Sequence, residues 1–112
     1  MYLYSTESGR MPVLEYIFAL EPVRQKKAFA LLEYVREQGL PKHNPERCKK
    51  LEGEDFWELK PSQNDRMFFC EDGARGIVLL HAFTKARNRT PPHEIQVGRA
   101  RYREVIEEWD LR

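Results

Sequence analysis

The stretch "DFWELKPSQNDRMFFCEDGARGIVLLHAF", Asp55 to Phe83, decides the fold. In "DFWELKP" apolar and polar residues alternate, with Trp57 and Leu59 on one face and Glu58 and Lys60 on the other. That is the period of a half-buried strand. "SQND" is turn chemistry, because Asn and Asp side chains bond nearby backbone and so stabilise tight reversals. "RMFFCE" then reads as a second strand, "DGARG" as a second turn, and "IVLLHAF" as a third strand. The last run is apolar enough to be central and covered on much of both faces. Residues 56–60, 66–71 and 77–83 are therefore expected to form one antiparallel sheet.

Upstream the period changes. "MPVLEYIFAL", Met11 to Leu20, reads as a short helix with Ser8 as candidate N-cap and Pro12 in its first turn. In "EPVRQKKAFALLEYVREQG" the residues Ala28, Leu31, Leu32 and Val35 fall at i, i+3, i+4 and i+7, an amphipathic helix. Gly39 and Pro41 stop it, and Glu21-Pro22 makes the corner of a helical hairpin. "MYLYS" is a candidate opening strand, and "PKHNPERCK" reads as a loop. At the other end Thr90 is expected to cap a final helix, with Pro91 placed where its missing N–H costs nothing. Ile95, Gly98, Tyr102, Ile106 and Trp109 trace its apolar face, which argues that Tyr102 belongs to the core. The order is strand, two helices, a meander and a helix: an α+β domain spanning 1–112.

Composition narrows the function. The chain has 112 residues, 41% hydrophobic and 33% charged, which suits one globular domain with a highly polar surface. No apolar run approaches the roughly 20 residues that span a bilayer. The start lacks the layout of a signal peptide, so a cytoplasmic, non-membrane protein is expected. Two cysteines, Cys48 and Cys70, make no disulfide framework, and Cys48 reads as a free thiol on a surface loop. The formal charge of +1 hides an asymmetry: residues 60–103 carry nine Lys/Arg against four Asp/Glu, whereas residues 104–112 carry one against four. A basic block beside an acidic tail suits a polyanionic partner, although a solvated face explains such a block equally well.

The common catalytic signatures are missing. There is no glycine-rich phosphate loop, serine elbow or Cys-x-x-Cys pair. His43, His81 and His93 lie far apart, and nothing near them has metal-ligand spacing, so no cofactor or metal is expected. His81 sits in a core strand and reads as structural; Glu107 and Glu108 belong to an acidic helix end. What remains are cations at strand ends. In an antiparallel meander Lys60 closes the first strand, Arg66 opens the second, and Lys85, Arg87 and Arg89 leave the third, so all converge on one edge of the sheet. Ion pairing with Glu58 or Asp65 is the bland account of any one of them. As a group they suit a phosphodiester. RNA cleavage by its own 2′-hydroxyl passes through a phosphorane whose extra negative charge such cations stabilise. A lysine among cations also gives up its proton more easily and can then act as a base.

From Lys49 onward the chain resembles the HigB-like, often phage-derived, branch of the RelE/ParE toxins. The residues that carry the resemblance are Lys50-Leu51, Trp57-Glu58-Leu59-Lys60, Arg66, "VLLHAF", Lys85 and Thr90-Pro91, followed by the final helix. The resemblance implies a RelE/ParE-like fold and the toxin of a type II toxin–antitoxin pair. It also implies metal-independent cleavage of mRNA on the ribosome, and silencing by a helix-turn-helix antitoxin. Arg66, Lys85 and Arg87 are then expected to stabilise the phosphorane, with Lys60 assisting, and Arg89, Arg99 and Arg103 to hold RNA. Lys60 stands where the family usually has arginine, and Ala86-Arg87 replaces a second lysine. Charge survives at both places, but bidentate phosphate geometry at the first does not. Two rivals remain: a ParE-like gyrase inhibitor of the same fold, which needs no such cation cluster, and a plain RNA-binding module. The second would want aromatic residues among the basic ones, and none interleave there.

Overall fold

A computed structural model describes residues 1–86 and 89–109. The elements are β1 (Tyr2–Leu3), α1 (Pro12–Phe18), α2 (Pro22–Gln38), β2 (Cys48–Lys50), β3 (Trp57–Leu59), β4 (Asp65–Asp72), β5 (Gly76–Thr84) and α3 (Pro92–Glu108). The strands form one sheet in the order β1-β5-β4-β3-β2. The expected meander is its antiparallel centre. β1 joins β5 in parallel, so the sheet as a whole is mixed. This is the α+β domain expected from the strand and helix periods, with a helical hairpin before the sheet and a helix after it.

The two-residue period of β4 sorts the core into two layers. Met67 and Phe69 face the hairpin, where they pack with Val13 and Ile17 of α1 and Ala28, Leu31, Leu32 and Val35 of α2. Phe68 and Cys70 face α3, packing with Phe56, Leu80, Phe83 and Val105. Large side chains fully withdrawn from water contribute about 1.5–3 kcal/mol each, so this two-sided burial is what holds both helical layers to the sheet.

On α3, Val105 is buried while Ile106 is 46% exposed, contrary to the expected stripe. At 100° per residue, position 105 lies 20° from Gly98 and position 106 lies 80° away, so the helix buries the nearer one. Gly98 itself marks the closest approach of helix to sheet: a Cβ there would lie 2.7 Å from Cδ2 of Phe68.

Four further expectations are corrected. β2 begins inside the segment read as a loop, its three residues being too few to signal a strand. That placement buries Cys48, which is therefore no surface thiol. Ser8 does not cap α1: the cap is Met11, and the Ser8 hydroxyl meets that of Thr6 at 2.9 Å. Thr90 does not cap α3. Pro91 occupies the cap position, and the Thr90 hydroxyl turns instead to Oε2 of Glu58 at 3.3 Å.

Candidate functional site

Strand register sets the site. Leu59 pairs with Met67, and Asp65 pairs with Thr84, so the end of β3, the start of β4 and the end of β5 lie side by side. Lys60, Arg66 and Lys85 are thereby brought to one end of the sheet. The Lys85 backbone donates to the Asn64 carbonyl at 2.6 Å, which fixes the exit of β5 against the β3–β4 turn. β2 and the turn before it add two cations that the sequence reading did not include. Lys49 pairs with Glu58 across β2 and β3, and the Arg47 carbonyl accepts from the Lys60 backbone at 3.0 Å. Arg47, Lys60, Ser62 and Arg66, with Glu46 at its edge, line one open hollow of about 380 Å³.

At the centre of this group stands one carboxylate. Glu58 is only 3% exposed, with Nε of Arg66 at 3.7 Å from Oε1 and the Thr90 hydroxyl donating to Oε2. These contacts are long for a buried carboxylate, which ordinarily draws charge-assisted bonds of about 2.7–2.9 Å. Arg66 spends Nη1 on the turn, donating to the carbonyls of Ser62 at 3.0 Å and Asp65 at 2.9 Å. Its Nε is buried and makes no hydrogen bond among the described residues. Lys85 is half-buried. Burial pushes its ammonium pKa down; Glu58 opposes that shift, while Arg66, Lys60 and Lys49 reinforce it. The charges acting on Lys85 are thus Arg66, Lys60 and Lys49 against Glu58, a local excess of cations that an anion would complete.

The other candidate residues lie elsewhere. Arg87 falls outside the described residues. Arg89 is exposed on the connection to α3. Arg99 is held in a two-point bond by Glu54, at 3.1 and 2.6 Å, and with Arg103 lines a separate hollow against Glu54, Asp55 and Glu107. Tyr102 is half-buried against Phe56, its ring centroid 6.2 Å away.

His81 turns away from the cations. A bulge on β5, where Leu80 has no partner opposite Phe68 and Phe69, shifts the register, so that Phe68 faces His81 and Phe69 faces Leu79. The imidazole consequently lies on the α3 side, with Nε2 at 2.7 Å from Oε1 of Glu94 and Nδ1 at 3.2 Å from Nη1 of Arg101. A guanidinium only donates, so Nδ1 accepts and Nε2 carries the proton. Burial lowers the imidazole pKa despite Glu94, which keeps it neutral near pH 7. It braces α3 on the sheet.

Neither thiol is activated. Burial pushes Cys70 up to about 12 and also raises Cys48. Among the described residues no three His, Cys, Asp or Glu side chains gather in the manner of a metal site. Nor is any described helix long and apolar enough to cross a membrane.

Fold and site together define a small α+β domain with a cation-rich sheet end. The family model "Phage derived protein Gp49-like (DUF891)" matches residues 15–103. The chain belongs to this family, which is associated with toxin–antitoxin systems. Comparison with curated proteins finds no match.

Proposed function

We propose that the protein is a HigB-like toxin that cleaves mRNA on the ribosome, with the scissile phosphate seated at the β3–β4–β5 end of the sheet. The observation that carries this reading is the gathering of Lys60, Arg66 and Lys85 near the buried carboxylate of Glu58. In the reaction the 2′-oxygen attacks its neighbouring phosphorus, and the 2′-hydroxyl proton passes to Lys85 in its neutral amine form, which burial and the neighbouring Arg66, Lys60 and Lys49 favour. The phosphorane's added charge falls on oxygens held by Arg66 and Lys60, where a preorganised cation is worth most. Departure of the 5′-oxygen, protonated by water or a neighbouring cation, leaves a 2′,3′-cyclic phosphate. Such a sparse acid–base set suffices if the ribosome orients the strand, since positioning alone contributes about 7–11 kcal/mol.

A cognate helix-turn-helix antitoxin would silence this site most simply by laying acidic side chains over it, which makes the complex sensitive to salt. The test of activity is single-turnover cleavage of ribosome-bound mRNA. Lys85→Ala should lower the rate by roughly 10²–10³ while leaving the thermal midpoint near that of the unsubstituted protein. Arg66→Lys should keep part of the activity, because it retains charge and loses the fork. Unchanged cleavage by Lys85→Ala would refute the assignment. Gyrase inhibition without RNA cleavage would favour the ParE-like alternative.

A further inference from the structure

The cation-lined hollow has a neighbour. Between α2 and the segment leading to β2 lies a second hollow of about 370 Å³, lined by Leu31, Tyr34, Pro41, His43, Asn44 and Arg47. Its volume falls within the range of small-molecule sites, about 300–1,000 Å³. Its chemistry differs from the sheet end. Leu31 and Pro41 are buried and form an apolar floor, whereas Tyr34 is 45% exposed and His43 lies open at the surface. Arg47 lines both hollows, so they share a wall.

An aromatic and apolar slot that shares an arginine wall with a phosphate-type site has the layout of a nucleotide subsite. One part takes the charge and the other takes the flat ring. We propose that this slot receives a nucleobase of the single-stranded RNA whose phosphate occupies the Arg47–Lys60–Arg66 hollow. The inference rests on the RNA-cleaving reading and adds a base-binding subsite to it. Tyr34 supplies the stacking face and Arg47 spans base and phosphate. Asn44 adds a directional preference: its side-chain carbonyl accepts from the Glu46 backbone at 3.0 Å, which leaves its amide NH₂ to donate. A base offering an acceptor at that edge is favoured.

The test is equilibrium binding of a short oligoribonucleotide to the full chain at low salt, beside the same oligonucleotide made abasic throughout. Tyr34→Ala should weaken binding of the intact strand by about 5- to 150-fold, the usual range for one lost stack on alanine substitution. Tyr34→Phe should restore it. The abasic strand should bind Tyr34→Ala and the unsubstituted protein alike. Lys60→Ala should weaken both strands and make binding less steep in salt by roughly 0.7 on the log–log plot.

If Tyr34→Ala binds the intact strand as tightly as the unsubstituted protein while Lys60→Ala still weakens it, the slot is not a base site and the phosphate site stands. If no RNA binds at any salt concentration, both fall. Because Tyr34 is half in water, its substitution leaves the core intact, and a thermal midpoint on each preparation verifies that.

Discussion

Two carboxylates on neighbouring strands are buried to nearly the same degree and live in opposite circumstances. Asp65, 1% exposed, accepts from Tyr16 at 2.8 Å, from Ser62 at 2.6 Å, from Nε of Arg24 at 3.0 Å and from Thr84 at 3.3 Å. Donors from α1, α2, the β3–β4 turn and β5 meet on one anion, and the hairpin is pinned to the sheet there. Glu58, 3% exposed, has longer contacts and faces several cations with nothing else negative among the groups that act on Lys85. A buried charge whose partners are complete and close is a brace. A buried charge outnumbered by loosely held cations is the start of an anion site. The difference is one of saturation and not of burial.

That contrast can be broken first at Asp65, where the largest effect on stability is expected. Asp65→Ala leaves Arg24, Tyr16 and Ser62 facing an empty place. The cost should be about 3 kcal/mol, at the low end of the roughly 3–5 kcal/mol for a broken buried pair, because Arg24 reaches water. The midpoint should fall on the order of 10–15 °C. A fall of only a degree or two in calorimetry would mean that the hairpin is held by apolar packing alone.

Acid probes the same brace more gently. Burial alone would raise the Asp65 pKa, but the bonds from Arg24, Ser62 and Tyr16 outweigh it and hold the carboxyl well below the usual carboxylate range. A carboxyl lowered by folding stabilises the protein above its unfolded pKa of about 3.9, and that contribution is lost as pH falls below it toward the folded value. Between pH 7 and pH 2 the unsubstituted protein should therefore lose more stability than Asp65→Asn. Parallel pH curves for the two would count against the brace.

A smaller effect sharpens the other side. Glu58→Gln removes the buried carboxylate that opposes the cations around Lys85. Affinity for a polyanion such as heparin should rise about fivefold at low salt, equivalent to the ~1 kcal/mol of one unit charge at 4 Å in water. Weaker binding would show that Glu58 holds the cations in place instead of merely offsetting them.

The meander, the hairpin and the final helix were legible because each repeats its period over enough residues to be heard. β2 was not, since only Cys48 of its three residues is buried. Missing it also meant missing Lys49 on that strand and Arg47 in the turn just before it. The partners of Asp65 could not be read for a different reason: Arg24 lies 41 residues away, and no local pattern announces a contact made only by packing. The convergence of Lys60, Arg66 and Lys85 was legible because antiparallel direction alone places strand ends together. Their number relative to Glu58 needed the structure, because it depends on which side chains the bulge and the edge strand turn toward one another. His81 illustrates this, as strict alternation from Leu79 would have put it on the hairpin side.

The most direct measurement sets Lys85→Ala beside Asp65→Ala, with single-turnover cleavage of ribosome-bound mRNA and thermal midpoint taken on the same preparations. Lys85→Ala should lose roughly 10²–10³ in rate at an almost unchanged midpoint. Asp65→Ala should lose its midpoint and, held below it, cleave at close to the unsubstituted rate. Rate and midpoint moving together in both variants, or no cleavage by any of the three proteins, would contradict the division of this sheet end into a brace and an anion site.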